Sequence, residues 1–133
     1  MATIALIIAG GSGARMRQDI PKQFLTVNER PVIVYTLEAF QNHPEIDEIA
    51  VVCIEGWTSK LKYVIPGGEN GQESIRNGVF ELEKNHSAED IVLIHDAIRP
   101  MVSAEIISDC IRVTRLHGNA IAVIPCAEAM MQT

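Results

Sequence analysis

Apolar runs alternate along this chain with longer stretches in which apolar residues recur at helical spacing. Continuous apolar runs predict strands buried on both faces, and they occupy residues 3–8, 48–54, 91–94 and 120–124, with a weaker run at 61–65. Helical spacing is found in a stretch opened by Pro31 and at 72–84 and 104–117. Strands that alternate with helices in this way predict an α/β, Rossmann-like domain, with a mostly parallel sheet and helices on both faces.

The stretch at 104–117 carries signals for both ends of a helix. Ser103 is a favourable N-cap, Glu105 suits the first turn, and Gly118 falls just past the last turn. The sequence therefore predicts a helix with these boundaries.

One connection is too short for the predicted order of elements. Parallel neighbours need a crossover of a dozen or more residues, yet only Glu55 to Lys60 separate the runs at 48–54 and 61–65. Either the strand at 61–65 is antiparallel, or a crossover has been lost. We expect residues 1–133 to form a single nucleotide-binding catalytic domain, incomplete at the C-terminus and around 55–61.

Composition and charge narrow the class of protein. With 47% hydrophobic and 21% charged residues, the chain is expected to be soluble and globular, and its net charge of −6 argues against nucleic-acid and membrane-surface partners. The apolar start, Ala2 to Ala9, is too short to span a membrane and has no basic flank, which indicates a cytoplasmic protein. The cysteines show no CxxC or zinc spacing and are expected to be reduced thiols: Cys53, Cys110 and Cys126.

A glycine-rich loop follows the first apolar run. It has three glycines in four residues, which lets backbone amides approach a polyanion, and Arg15 and Lys22 add positive charge nearby. The spacing matches neither Walker A nor GxGxxG. A phosphate cradle is the favoured interpretation, with a purely structural turn as the alternative, and its residues are Ala9, Gly10, Gly11, Ser12 and Gly13.

A second glycine loop precedes the predicted helix at 72–84. Gly67 and Gly68 stand at a strand end and Ser74 follows, a pattern suited to reading the edge of a flat base through backbone groups and a hydroxyl. The alternative is that Ser74 only caps the helix.

The segment His95 to Pro100 follows the strand predicted at 91–94. Asp96, at the carboxyl end of that strand, is placed to hold Mg²⁺, and Arg99 can contact a phosphate. A local Asp96–Arg99 ion pair is the alternative. His95 would point away from Asp96 and is assigned a structural role.

Taken in order, these motifs resemble the 2-C-methyl-D-erythritol 4-phosphate cytidylyltransferase family and its relatives, the ribitol 5-phosphate cytidylyltransferases. The matching segments run along nearly the whole chain: the loop from Ala9 to Met16, Pro21 to Leu25, Pro31 to Ile33, Ile46-Asp47, Gly67-Gly68 with Ser74, and His95 to Ala97 with Arg99-Pro100. The resemblance implies a nucleotide-diphospho-sugar transferase type of fold and a homodimer formed by an extended β-arm.

By position, the resemblance also implies roles for individual residues. Residues Ala9 to Gly13 would wrap the phosphates of CTP, and Gly67, Gly68 and Ser74 would read cytosine. Arg15 and Lys22 would be catalytic, neutralising charge on the triphosphate. Asp96 would bind Mg²⁺, the implied cofactor, and Asp96 and Arg99 would lie near the polyol phosphate acceptor.

The chain departs from the family's sequence pattern in two places. Gly71 stands where the family usually has an arginine, and Pro125 to Ala129 stands where it usually has Pro-Val-x-Asp-Thr, a loop that touches the acceptor. The family's second metal-binding Asp, a further Lys and the Arg of the dimer arm have no counterpart among residues 1–133.

We therefore expect transfer of the cytidylyl group of CTP to a polyol phosphate, with release of pyrophosphate. Methylerythritol phosphate, of isoprenoid precursor synthesis, is the favoured acceptor, and ribitol 5-phosphate, of cell-wall polymer synthesis, is the alternative. Three other hypotheses stay open: a sugar-1-phosphate nucleotidyltransferase using UTP, GTP or dTTP, a non-catalytic CTP-binding module, and, as the weakest, a dinucleotide-binding oxidoreductase domain.

Overall fold

The structure is a computed structural model that describes residues 1–9, 24–53 and 64–125. Apart from two short strands at 26–27 and 30–31, which were not predicted, its helices and strands follow the predicted order as far as residue 117. In chain order they are β1 (Thr3–Ala9), β2 (Thr26–Val27), β3 (Arg30–Pro31), α1 (Val32–Gln41), β4 (Glu48–Cys53), β5 (Val64–Pro66), α2 (Gly71–Glu83), β6 (Ile91–Asp96) and α3 (Ala104–His117).

The main sheet of the described residues has four strands in the order β5-β4-β1-β6. Every pairing in it is parallel, which confirms the predicted α/β class. The antiparallel alternative for the third predicted strand is wrong, because Val51 pairs with Val64 and Cys53 with Pro66 in parallel register. Since β5 begins at Val64 rather than at residue 61, the link from β4 runs over 54–63 and is longer than the sequence indicated. The predicted gap around 55–61 lies outside the described residues.

Strand β1 is central and buried on both faces. Its alternating side chains divide the core into two layers, as period-2 geometry requires. Ala5 and Ile7 belong to a cluster that α1 and α3 cover, with contributions from Ile33, Phe40, Ile107 and Ile111. Ile4 and Leu6 belong to a second cluster, which Leu82 of α2 covers. Helices therefore flank both faces, as the sequence predicts.

Helix α3 confirms the boundaries predicted from its end signals. The Ser103 hydroxyl accepts a hydrogen bond from the backbone N–H of Ile106 at 3.2 Å. Gly118, with a φ of +88°, ends the helix in the left-handed conformation. These end signals act locally, so the sequence contains them in full.

The helical spacing of Ile75, Val79 and Leu82 predicts that these residues face the core, but of the three only Leu82 is among the buried residues of α2. The buried positions are Ser74, Gly78 and Leu82, whereas Val79 is 39% exposed. A Cβ on Gly78 would lie 2.8 Å from side-chain atoms of both Leu6 and Val52, so the helix approaches the sheet most closely where it has no side chain. The prediction that Val79 faces the core is wrong, because close approach at Gly78 decides which face is buried.

The apolar run at 120–124 forms no strand in the described structure, contrary to prediction. Ile121, Val123 and Ile124 are more than four-fifths exposed, at 84%, 81% and 88%. They line an open groove of about 440 Å³ beside α3. Hydrophobic composition favours a strand, but the strand also needs a neighbour for its backbone groups. None of the described strands pairs with this run.

Acidic side chains tether the start of β1. The Asp90 carboxylate accepts the backbone N–H groups of Ala2 at 2.7 Å and of Ser87 at 2.9 Å. The hydrogen bond from Ala2 is the main cause of a pKa for Asp90 below its usual value. Asp47 accepts the N–H of Thr3 at 2.8 Å in the same way.

His86, beside this end of the sheet, makes stability depend on pH. Its Nδ1 lies 2.9 Å from the carbonyl of Leu82 and its Nε2 lies 3.0 Å from the Glu48 carboxylate. The hydrogen bond to Leu82, and then that to Glu48, raises the pKa of His86 above its ordinary value of 6.5. A raised pKa means that the folded state binds the proton more tightly than the unfolded chain does. This stabilisation is complete below pH 6.5 and disappears as the pH rises through the folded-state pKa.

We therefore expect the thermal midpoint to fall as the pH is raised from about 6 towards 8. The His86→Gln variant should show a shallower decline over that range, measured by circular dichroism melting at each pH. Identical slopes for the variant and the wild type would refute this role for His86.

In the described part of the chain, every helix is too short or too polar to cross a membrane.

Candidate active site

Three of the predicted functional loops leave the same edge of the sheet. Ala9 pairs with Cys53 and Cys53 with Pro66, so the ends of β1, β4 and β5 lie in one row. Asp96 pairs with Ile8, one position behind that row. With strands about 4.8 Å apart, the end of β5 and Asp96 lie roughly 14 Å from each other. This span suits an extended nucleotide lying along the edge.

The order of the strands places a crevice between β1 and β6. From β1 the chain continues to β4 and β5 on one side, and β6 then adds on the other side. The direction of strand addition reverses at β1, and ligands bind at such switch points in open α/β sheets. Ala9, at the end of β1, and the turn at Asp96 lie beside this crevice.

The Gly67-Gly68 loop is held at both ends by backbone N–H groups. Gly67 donates to the carbonyl of Cys53 at 2.8 Å, and Gly68 donates to the Ser74 hydroxyl at 3.0 Å. A Cβ on Gly68 would lie 2.2 Å from the Cβ of Glu73. The loop can therefore press against the start of α2 only because residue 68 is glycine.

Ser74 shapes this loop and does not cap the helix. The cap is Asn70, whose side-chain oxygen accepts the N–H of Glu73 at 2.9 Å. The alternative interpretation of Ser74 as the N-cap is therefore wrong. Ser74 is 1% exposed and its oxygen accepts from Gly68, so its hydroxyl holds the loop beside the edge of the sheet. Its contact with a base stays a prediction.

The turn after β6 is fixed to two other elements through Ala97. The N–H of Ala97 donates to the carbonyl of Ile8 at 3.0 Å, and its carbonyl accepts from the Thr36 hydroxyl at 2.6 Å. The N–H of Arg99 closes the turn on the carbonyl of Asp96 at 3.2 Å. Backbone bonds to β1 and a side-chain bond to α1 therefore determine where Asp96 lies.

Asp96 and Arg99 form the local ion pair that the sequence left as an alternative. Arg99 Nε lies 3.1 Å from a carboxylate oxygen of Asp96, and the side chains are 71% and 55% exposed. An exposed pair of this kind contributes at most about 1 kcal/mol. A divalent cation or a phosphate group can replace it at small cost, so the pair is compatible with a ligand-binding role for both residues.

His95 has the structural contacts that its strand position predicts. Its ring centroid lies 5.0 Å from that of Phe40. Its Nε2 donates to the carbonyl of Arg99 at 2.9 Å, which supports the turn from the other side.

Several predicted site residues lie outside the described residues. Ala9 ends β1 and is 2% exposed, which places the start of the glycine-rich loop. Unlike Ala9, the following residues of the predicted loops lie outside the described ranges: Gly10, Gly11, Ser12, Gly13, Arg15, Lys22 and Cys126 to Ala129.

A divalent cation at this edge of the sheet would need oxygen ligands from nearby side chains. Among residues 1–9, 24–53 and 64–125, no three His, Cys, Asp or Glu side chains cluster as a metal site. Mg²⁺ is usually held by one or two carboxylates together with substrate phosphates and water. A single exposed carboxylate at Asp96 fits an ion that arrives with a triphosphate.

Sequence reasoning missed two residues of the site. Asn70 could have been found, because an Asn three residues before a Glu at a helix start is a capping signal. Thr36 had no such signal, since its partner Ala97 is 61 residues away in the chain.

Comparisons with known proteins agree with this geometry. The family model described as IspD, 2-C-methyl-D-erythritol 4-phosphate cytidylyltransferase, matches residues 3–133. The ribitol-5-phosphate cytidylyltransferase of Lacticaseibacillus paracasei is 45% identical, over 91% of this chain and 57% of that protein. The 2-C-methyl-D-erythritol 4-phosphate cytidylyltransferase of Clostridium botulinum strain Okra is 38% identical, over 90% and 57%.

A solved structure supports the fold independently. The crystal structure of a 4-diphosphocytidyl-2C-methyl-D-erythritol synthase superposes with a TM-score of 0.79 at 24% identity, covering 99% of this chain and 63% of that one. The chain spans somewhat under three-fifths of the length of the curated relatives named above. The match to the family model over nearly all residues, together with the motifs at the carboxyl edge of the sheet, shows that this chain belongs to the 2-C-methyl-D-erythritol 4-phosphate cytidylyltransferase family of nucleotidyltransferases.

Proposed function

We propose that the protein transfers the cytidylyl group of CTP to a polyol phosphate and releases pyrophosphate. The observation that carries this proposal is the placement of the Gly67-Gly68 loop, the end of β1 and Asp96 along one edge of the sheet. The base would lie against the Gly67-Gly68 loop. The triphosphate would extend towards the crevice between β1 and β6.

The reaction needs positioning more than proton transfer. An anionic oxygen of the acceptor phosphate attacks the α-phosphorus of CTP, so no strong general base is required. Catalysis then depends on alignment and on stabilising the charge that develops at phosphorus. We assign that charge stabilisation to Arg15 and Lys22, and contact with the acceptor phosphate to Arg99. Mg²⁺ held by Asp96 would add positive charge to the triphosphate.

We favour ribitol 5-phosphate as the acceptor and keep methylerythritol phosphate as the second candidate. This reverses the order expected from the motifs alone. The relative named for ribitol 5-phosphate is 45% identical, against 38% for the relative named for methylerythritol phosphate. The replaced loop at Pro125 to Ala129 is a second reason to expect a different acceptor from that of most family members.

The test is pyrophosphate release by the full-length protein with CTP and Mg²⁺, with the two acceptors offered in parallel. Faster turnover with ribitol 5-phosphate supports the proposal in full. Faster turnover with methylerythritol phosphate reverses the choice of acceptor but keeps the reaction. CTP binding without pyrophosphate release from either acceptor would favour the non-catalytic module, and competition by UTP, GTP or dTTP would favour a sugar-1-phosphate enzyme.

Two further properties are part of the proposal. We expect a homodimer, which sedimentation velocity of the full-length protein will test. We also expect a cytoplasmic location, which fractionation of cells will test.

The Asp96→Asn variant is expected to need at least about tenfold more Mg²⁺ for half-maximal turnover. A lost interaction with a charged oxygen is worth about 1.5–3 kcal/mol, and 1.4 kcal/mol corresponds to a factor of ten. A Mg²⁺ titration of the initial rate measures the shift.

Asp109→Asn is the matched control, because Asp109 also forms an exposed ion pair with an arginine three residues later, on α3. Its Mg²⁺ titration should coincide with that of the wild type. If the two variants behave alike, Asp96 does not hold the metal.

A further inference from the structure

We propose that Thr36 is a positioning residue for the reaction, holding the turn that presents Asp96 and Arg99 in place beside the end of β1. This inference rests on the proposed function. Thr36 itself touches neither substrate nor metal in this proposal.

Thr36 makes a single well-defined polar contact across the core. Its side chain lies in α1 and the residue is 0% exposed. Its Oγ1 donates to the carbonyl of Ala97 at 2.6 Å. Because water cannot replace this donor at a buried carbonyl, the bond must be made for both groups to be satisfied.

Ala97 is the point at which three parts of the site meet. It is 1% exposed and follows Asp96 directly. Its N–H is bonded to Ile8, next to the residue that starts the glycine-rich loop. The carbonyl that Thr36 holds lies inside the turn that Arg99 closes on Asp96. A shift of that carbonyl would therefore move the turn that presents Asp96 and Arg99.

The start of α1, about one turn before Thr36, is tied to residues 24–25. Val32, the first residue of α1, donates its N–H to the carbonyl of Leu25 at 2.9 Å. Phe24 is 8% exposed and belongs to the same core cluster as Ile33. The first turn of α1 is thus attached both to residues 24–25 and to the Asp96 turn. Thr36 is its polar attachment to that turn.

The physical reason for a catalytic effect is distance. Charges that act on one phosphate must be held to within about half an ångström to be effective. Asp96 and Arg99 both belong to the turn that Thr36 holds. Loss of the Thr36 bond would let this turn move without removing either charge.

The test compares three variants of the full-length protein. Thr36→Val keeps the shape of the side chain and removes the donor, whereas Thr36→Ser keeps the donor. Thr114→Val is the matched control, because the Thr114 hydroxyl also donates to a carbonyl, that of Cys110 at 2.7 Å within α3. We measure kcat, KM for CTP, the half-saturating Mg²⁺ concentration, the Mg²⁺-dependent affinity for CTP by calorimetry, and the thermal midpoint.

For Thr36→Val we expect kcat to fall by about 10–100-fold, as for a misplacement of about 1 Å, and the half-saturating Mg²⁺ concentration to rise severalfold. Thr36→Ser should restore both values to near those of the wild type. Thr114→Val should lower the thermal midpoint at most and leave kcat unchanged.

A Thr36→Val variant that melts earlier but keeps wild-type kcat and Mg²⁺ dependence would overturn the inference. The proposed function would still hold in that case, because the wild type turns over. If Thr36→Val does not fold, Thr36→Ala, which also removes the donor, replaces it, and kcat equal to that of Thr36→Ser would overturn the inference. If the wild type binds CTP without turnover, the proposed function fails. The inference then depends on calorimetry alone, and equal Mg²⁺-dependent affinities for Thr36→Val and the wild type would overturn it.

Discussion

Replacing Lys22 by alanine is expected to reduce cytidylyl transfer by about 10²–10³-fold and to leave the fold intact. The acceptor oxygen is already anionic, so most of the barrier is the charge that develops around the α-phosphorus. A fixed ammonium group would stabilise that charge, and the loss of one preorganised donor of this kind costs about 2.7–4 kcal/mol. Pro21, immediately before Lys22, restricts the backbone there and limits the freedom of the lysine.

The measurement is kcat from pyrophosphate release, beside the thermal midpoint of the same preparation. Lys84→Ala is the control, because Lys84 is an exposed lysine at the end of α2 that pairs only with Glu81 among the ion pairs described. It should keep wild-type kcat. A Lys22→Ala variant that melts much earlier but retains its activity would show that Lys22 is structural.

Replacing Gly68 by alanine is expected to raise KM for CTP by roughly ten- to a hundredfold. A Cβ there would lie 2.2 Å from the Cβ of Glu73 and 3.0 Å from its backbone carbon, so the loop would have to move away from α2. Overpacking of this kind costs about 1–3 kcal/mol. Movement of the loop would also break the bond from the Gly68 N–H to Ser74, which aligns the backbone that we propose reads the base.

Gly71→Ala is the matched control for this loop, made by the same chemical change three residues later. A Cβ on Gly71 meets nothing within 4 Å, and Gly71 is the first residue of α2. Alanine has the higher helix propensity, so this variant should be neutral or slightly more stable. Equal KM values for the two variants would mean that close packing at Gly68 does not matter for CTP binding.

Much of the fold could be predicted because its signals are local or periodic. The continuous apolar runs at 3–8, 48–54 and 91–94 correspond to the parallel strands β1, β4 and β6. Ser103 and Gly118 end α3 where the sequence places them, since capping depends on a few neighbouring residues.

The candidate site was predictable to the extent that its motifs follow strands. Loops that follow parallel strands leave the sheet at the same edge, and Gly67 and Asp96 both lie at that edge. The family was also identified from these motifs, and the family model confirms it. The motifs did not determine the acceptor, because this chain differs from the family pattern at Pro125 to Ala129, the loop that the resemblance places at the acceptor.

By itself, then, the sequence determined the class of fold, the ends of α3 and the edge of the sheet at which the chemistry is expected. Only the tertiary structure decided that β5 is parallel, that Gly78 rather than Val79 faces the core, and that Ser74 holds Gly68 while Asn70 caps α2. In the tertiary structure, none of the described strands pairs with the apolar run at 120–124, and the Thr36 hydroxyl donates a hydrogen bond to the carbonyl of Ala97. The physical reason is the same in each case. Hydrophobic periodicity and capping depend on residues that are neighbours in the sequence. Close approach, strand pairing and buried hydrogen bonds depend on residues that are distant in the sequence and meet only in the folded chain.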